Sequence, residues 1–357
     1  MTEIRKEAFG TLSDGRAVEL YTMRNARGTE ASVTTYGARL VRWQTAGREG
    51  KPVDIVLGYA DAAGYEADDT SMGGIVGRHA NRIEGGKVTI AGKTYQLDLN
   101  DGSHQQNHIH GGHPGFHNKL WQAEATETGV QLTLESPDGE GGYPGTMQVT
   151  VLYALTEDDA LSIRYEATSD QDTICNLTNH TYFNLDGYQA PPVLDQEIQI
   201  FADRYTTIDE KSIPTGTADV TGTPFDLRAP VKIADGLALE AENEQLKNGQ
   251  GYDHNFILSG EKDENGLRLA ARVTDERTGR VMKVFTDMPG VQFYSGNFLN
   301  RYNAAEHRYY KKRMALCLET QCAPDSVHHA GENGFDVMTI EPGRPLDSTT
   351  VYQFETL

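Results

Sequence analysis

The stretch that decides the fold runs Ala17-Val18-Glu19-Leu20-Tyr21-Thr22, then Ala31-Ser32-Val33-Thr34-Thr35-Tyr36, Gly37, and Leu40-Val41-Arg42-Trp43. Short apolar and β-branched runs alternate with turn residues, the pattern of half-buried strands joined by tight connections. It recurs at 53–57, 87–90, 94–97, 130–135, 147–155 and 161–169. Ser13-Asp14-Gly15, Pro137-Asp138-Gly139 and Tyr143-Pro144-Gly145 supply turns between several of these runs. The second half continues with 197–202, 256–258, 267–274, 280–286, 291–294, 315–320 and 351–355. Helical periodicity is scarce: 240–247 and 304–312 are weak candidates, the latter interrupted by aromatic and β-preferring residues. The longest connecting loops are expected at 100–119 and 203–253. The chain is therefore expected to be all-β, a large β-sandwich. With no Pro-rich or Gly/Ser-rich linker and no internal repeat, one domain over residues 1–357 is expected.

The 357 residues carry a formal charge of -20, which argues against nucleic acid or an anionic membrane, since both are bound through Lys and Arg clusters. An acidic surface suits a protein that acts on neutral small molecules. Cys175, Cys317 and Cys322 form no CxxC pair and leave an odd count, so a reducing compartment fits better than a disulfide framework. Met1-Thr2-Glu3-Ile4-Arg5-Lys6-Glu7 has no apolar signal core, and no run approaches the roughly 20 apolar residues of a membrane helix. A cytoplasmic protein, monomer or homodimer, is expected.

Asn176-Leu177-Thr178-Asn179-His180-Thr181-Tyr182-Phe183-Asn184-Leu185 mixes amides, hydroxyls, aromatics and a histidine. Read as a strand, it places Asn176, Thr178, His180, Tyr182 and Asn184 on one face, a polar row suited to a hydroxyl-rich ligand. Histidine can exchange a proton near neutrality; the structural alternative is a half-exposed strand with a hydrogen-bonded histidine. In Ala315-Leu316-Cys317-Leu318-Glu319-Thr320-Gln321, alternation sets Cys317, Glu319 and Gln321 against Leu316, Leu318 and Thr320. A glutamate in an apolar strand is costly to bury, and burial raises its pKa toward the range useful to a general base; the alternative is a salt-bridged edge residue. Glu319 and His180 are thus a candidate base and acid.

Other constellations offer ligand-binding groups. Gly77-Arg78-His79-Ala80-Asn81-Arg82-Ile83 lies between paired glycines, and its arginines and Asn81 can grip hydroxyl or carbonyl oxygens, unless it is a solvated turn. It lacks any phosphate-loop pattern. His104, His108, His110, His113 and His117 crowd around Gly111-Gly112, but no HExxH or nearby cysteine accompanies them, so no metal is expected. His110, before the glycine pair, is the candidate ligand contact. Asp253 sits where a loop enters a strand, and Gln292 lies in Gly290-Val291-Gln292-Phe293-Tyr294, where aromatics and amides suit sugar faces and hydroxyls. Turn and core roles are the respective alternatives.

Taken together, these motifs resemble the aldose 1-epimerases, also called galactose mutarotases. Seven segments occur in that family's order: Gly77-Arg78 through Asn81-Arg82-Ile83; His110-Gly111-Gly112 with Gly115-Phe116 and Trp121; Gly142-Tyr143-Pro144-Gly145; Asn176 to Leu185; Asp253-His254-Asn255-Phe256; Gly290 to Phe298; and Leu318-Glu319-Thr320-Gln321. The segment Gln105-Gln106-Asn107-His108-Ile109, ahead of His110, departs from the family pattern. The resemblance implies an antiparallel β-supersandwich with the sugar in an open cleft. It implies Glu319 as general base, His180 as general acid, and Asn81, Arg82, His110, Asp253 and Gln292 as sugar-binding residues. Anomer exchange needs a proton taken from the C1 hydroxyl and one given to the ring oxygen, with no metal or redox cofactor. His180 is then expected to start protonated and Glu319 ionised, with Arg82 helping to set both states; the reverse assignment is left open. The rivals are a hexose 6-phosphate epimerase, which needs a cationic pocket, a sugar-binding module without catalysis, and a glycosidase, for which no second strand carboxylate is evident.

Overall fold

The computed structural model describes residues 2–304 and 306–357. Three antiparallel sheets dominate. Glu3–Thr11, Ala17–Arg24, Glu30–Thr34, Arg39–Ala46 and Pro52–Asp54 form a five-stranded meander in chain order. A nine-stranded sheet runs from Gln122–Ala125 through Met147–Leu155 and Ala160–Ser169 to Arg280–Thr286 and beyond, with Leu346–Thr356 between the last two. The third sheet has the order Pro214–Asp219, Ala202–Ile208, Asp253–Leu258, Gly290–Tyr294, Cys317–Gln321.

In the large sheet the period of two is plain: Met147–Leu155 and Leu346–Thr356 bury every second residue and turn the intervening ones outward. Their inner face meets the other sheets in one core. Trp43 lies edge-on to Phe354 at 4.8 Å between centroids and also contacts Phe183 and Tyr352. Tyr352 Oη donates to Leu318 O at 3.0 Å, tying the C-terminal strand to Cys317–Gln321. That strand and Gly290–Tyr294 are buried at every position, because one face meets the core and the other forms the floor of a cleft.

Most strands stand where alternation put them, and several expectations need correction. The stretch 203–253 is not a loop: Ala202–Ile208, Pro214–Asp219, Val231–Lys232 and two short helices, Ile233–Leu237 and Glu244–Asn248, occupy it. Their Gly, Pro and Asp content hides the alternation. The helix expected at 240–247 starts later, where the Asn243 side chain caps Leu246 N. The helix expected at 304–312 is a hairpin, Asn300–Asn303 with Arg308–Lys311; Ala305 lies outside the described residues, as does Met1. Tyr310 decides this, since its hydroxyl reaches back to Gly58 O at 2.6 Å and buries the ring. Glu3–Thr11 is a strand that the charged sequence did not announce; as a sheet edge it keeps its charges in solvent. The run 197–202 divides at Phe201 between two sheets.

The largest correction concerns Asn176 to Leu185. Only Thr178–Asn179 pairs as strand, with Ile75–Val76, and isolated bridges hold Asn176 and Phe183. All ten residues are buried, so neither face is wet along its length. Asn176 and Asn184 brace neighbouring backbone at Cys322 and Met314.

Candidate active site

Antiparallel pairing puts opposed residues on the same face. Asp253 lies opposite Tyr294, and Asn255 and Glu319 lie on either side of Gln292. One face of the third sheet therefore carries Asp253, Asn255, Gln292, Tyr294, Cys317, Glu319 and Gln321. Phe256, Phe293 and Leu318 point into the core. From this face Asp253, Tyr294 and Glu319 reach a cleft of about 320 Å³ whose walls also include Asn81, Arg82, His110 and His180.

His180 reaches the cleft from a segment threaded beside Gly73-Gly74. Its backbone N–H donates to Gly74 O at 2.9 Å, and its carbonyl accepts from Gly73 N at 2.8 Å. The imidazole stacks on Tyr182 at 5.0 Å and meets His110 edge-on at 5.5 Å. Nε2 stands 3.8 Å from Glu319 Oε1. Glu319 Oε2 is buried with no hydrogen-bond partner among the described residues, an exceptional condition for a carboxylate oxygen and one that a ligand hydroxyl would relieve.

The opposite wall depends on two residues in the left-handed region, Asn81 at φ 66° and His110 at φ 51°, conformations that cost energy and concentrate at functional sites. Asn81 N donates to His110 Nδ1 at 3.2 Å, which leaves Nε2 as the ring's free end. Gly111, at φ 86°, passes so close to Gly77 O that no side chain fits. Asn100 clamps the Ile109 backbone with two hydrogen bonds of 2.8 and 2.9 Å. The departure from the family pattern ahead of His110 thus leaves His110 on the cleft wall. Its neighbour His108 is occupied by Asp98 O and Tyr143 Oη, and His117 is buried against Gly74.

Of the binding residues expected, Asn81, Arg82, His110 and Asp253 line the cleft; Gln292 does not. Gln292 Nε2 instead donates to Asp253 Oδ1 at 2.7 Å, so it supports a cleft residue. Thr178 is buried off the cleft, whereas Tyr182 lines it. Sequence reasoning missed Asp69, Thr70, Ser71, Asp101 and Arg301. They read as ordinary surface polar residues, and no spacing tied them to the site. Both cleft arginines are engaged: Arg82 Nε donates to Asp101 Oδ2 at 2.9 Å, and Arg301 pairs with Asp69, another residue of the lining.

Burial sets the electrostatics. It drives the Glu319 carboxyl well above its ordinary range, and the Asp253 charge adds to the effect. It raises Asp253 too, against the pull of Arg82, and lowers His180 to about 4. In the sugar-free cleft burial thus disfavours both the imidazolium and the carboxylate of the expected ionised pair. Arg82, tied to Asp101, acts on Asp253 rather than on the pair.

Comparison with known proteins agrees with the geometry. A family model described as aldose 1-epimerase matches residues 19–353. The chain is 40% identical to galactose mutarotase of Rattus norvegicus over 99% of both chains. It is 36% identical to aldose 1-epimerase of Escherichia coli (strain K12) over 96% of both. The crystal structure of galactose 1-epimerase from Lactobacillus acidophilus NCFM superposes with a TM-score of 0.83 at 30% identity, covering 100% of this chain and 99% of the other.

Proposed function

The chain belongs to the aldose 1-epimerase family, and we propose that it interconverts the α and β anomers of free hexoses such as galactose and glucose, with Glu319 as general base and His180 as general acid. The observation that carries this reading is the facing of His180 Nε2 and Glu319 Oε1 at 3.8 Å in a cleft walled by hydrogen-bonding side chains.

Glu319 takes the proton of the C1 hydroxyl while His180 gives one to the ring oxygen. The C1–O5 bond breaks and the free aldehyde forms. Rotation about C1–C2 presents the other carbonyl face. O5 then re-attacks, returning its proton to His180, and Glu319 returns the other to O1. One proton resides on the pair throughout.

A bound sugar stabilises the reactive ion pair, because its C1 hydroxyl donates to the carboxylate and its ring oxygen accepts from the imidazolium. Ring opening then moves the pair to the neutral state that burial favours, which makes His180 a stronger acid and Glu319 a stronger base than either is in water. Asn81, Arg82, His110 and Asp253 are proposed to hold the remaining hydroxyls, with Gln292 orienting Asp253. Because each cleft arginine already has a carboxylate partner, the site favours neutral sugars over a hexose 6-phosphate. One domain carries the whole site in this reading, and a monomer suffices since every proposed residue comes from one chain.

Polarimetry on freshly dissolved α-galactose, α-glucose and α-glucose 6-phosphate tests the proposal. Accelerated mutarotation of the free sugars is expected, and acceleration confined to the phosphate ester would sink it.

A further inference from the structure

Proton exchange at His180 Nε2 requires the other ring nitrogen to keep its proton. In the imidazolium both nitrogens carry hydrogen; after Nε2 gives its proton away, the remaining one must stay on Nδ1, or Nε2 could not take a proton back. Something must therefore accept from Nδ1–H in both states. The side-chain atom beside Nδ1 is Cys317 Sγ, 3.5 Å away. Cys317 is fully buried, two residues before Glu319 on the same face of the same strand.

We propose that Cys317 is a positioning residue whose sulfur accepts from His180 Nδ1–H, fixing the tautomer and ring orientation that leave Nε2 aimed at Glu319 and the sugar. This rests on the proposed roles of Glu319 and His180. One strand thereby carries both the base and the group that orients the acid, so the spacing of the two is set by backbone pairing rather than by a mobile loop. Gly290–Tyr294 holds that spacing, with Tyr294 opposite Cys317 and Gln292 opposite Glu319.

A sulfur acceptor differs from the carboxylate that orients many catalytic histidines. It is neutral, since burial keeps the thiol protonated, and it is a weak acceptor. It therefore directs the ring without adding a charge that would hold the proton on it. The groups around the imidazole fit that arrangement: Tyr182 stacked on it, His110 and Tyr294 edge-on, Glu319 facing Nε2, its own backbone as a second contact that favours the protonated ring, and Asp68 and Arg39 acting on its charge in opposite senses.

The test compares Cys317→Ala and Cys317→Ser in the full chain. Alanine removes the acceptor and is expected to lower kcat by about 3- to 10-fold, the scale of one hydrogen bond, with KM changed less than about twofold. It should also move the acid limb of the pH profile to lower pH, because the imidazolium loses a stabilising contact. Serine supplies a stronger acceptor and is expected to recover most of the loss, with the acid limb moved to higher pH. Nitrogen-15 NMR of the sugar-free protein reads the tautomer without reference to activity: hydrogen on Nδ1 is expected in the native protein, with increased Nε2–H tautomer in Cys317→Ala. Equal loss in both variants with an unmoved acid limb, or a native His180 carrying its proton on Nε2, would overturn the role of Cys317. A native protein inactive toward every free aldose would instead overturn the function proposed above.

Discussion

The carboxylate of Glu319 is the most exposed to test among single residues, because one of its oxygens is buried without a partner. Glu319→Gln keeps the shape and removes the base, so kcat should fall by roughly 10²–10⁴-fold, the usual contribution of a positioned acid or base. Stability should hold or rise, since an uncompensated buried carboxyl is lost. Stopped-time polarimetry and thermal melting read the two quantities; a variant with native turnover would remove Glu319 from the mechanism. The pH profile follows from the single proton on the pair. Activity is lost on the acid side when a second proton joins at His180, near pH 4. An acid limb centred at pH 6.5 or higher would contradict the burial of His180. Gln292 differs from these, since it touches Asp253 rather than the cleft. Gln292→Ala should raise KM several-fold and leave the acid limb in place, as measured by initial rates across sugar concentration.

At the scale of elements, the turn through His110-Gly111-Gly112 is the most constrained piece of the site. Gly111 combines a positive φ with backbone contact to Gly77. Gly111→Ala is therefore expected to destabilise the fold by about 1–3 kcal/mol and to displace His110, raising KM. A melting curve with saturation kinetics checks both, and an unchanged melting temperature would show that the turn yields freely. Alternation in the strand 315–320 was legible and correct, since Cys317 and Glu319 share the face that carries Tyr294 and Gln292 while Leu318 enters the core. The same reasoning failed at Asn176 to Leu185 because that segment is held by isolated bridges and side-chain amides, not by a continuous ladder. His180 nevertheless reaches the cleft, carried there by its contacts with Gly73 and Gly74.

Across the whole molecule, buried histidines govern the response to acid. His79, His117 and His254 are held down to about 3, His108 and His180 to about 4, and His110 well below its ordinary value, all by burial. Their folded-state pKa values lie below the unfolded value of about 6.5, so the unfolded chain binds more protons as pH falls. Their contribution to stability is complete above pH 6.5 and is lost progressively toward pH 3 to 4. Buried carboxyls with raised pKa, Asp54 at about 7 together with Asp253, Asp287 and Glu319, act in the opposite sense, but the histidines outnumber them. The melting temperature should therefore fall between pH 6.5 and pH 4, as scanning calorimetry can measure; a rise over that interval would contradict the burial of these rings.

The sequence by itself determined the all-β class, most strand positions, the motifs of the aldose 1-epimerase family and the candidates Glu319, His180, Asn81, Arg82, His110 and Asp253. These are properties of local periodicity and of residue types whose chemistry is visible one segment at a time. Only the tertiary structure decided that His180 faces Glu319, that Gln292 serves Asp253, and that Asp69, Asp101 and Arg301 belong to the cleft. It also decided that burial opposes charge on both members of the pair. The reason is that desolvation and side-chain pairing depend on segments far apart in the chain, which no local pattern reports: 137 residues separate the His180 ring from the Cys317 sulfur that touches it.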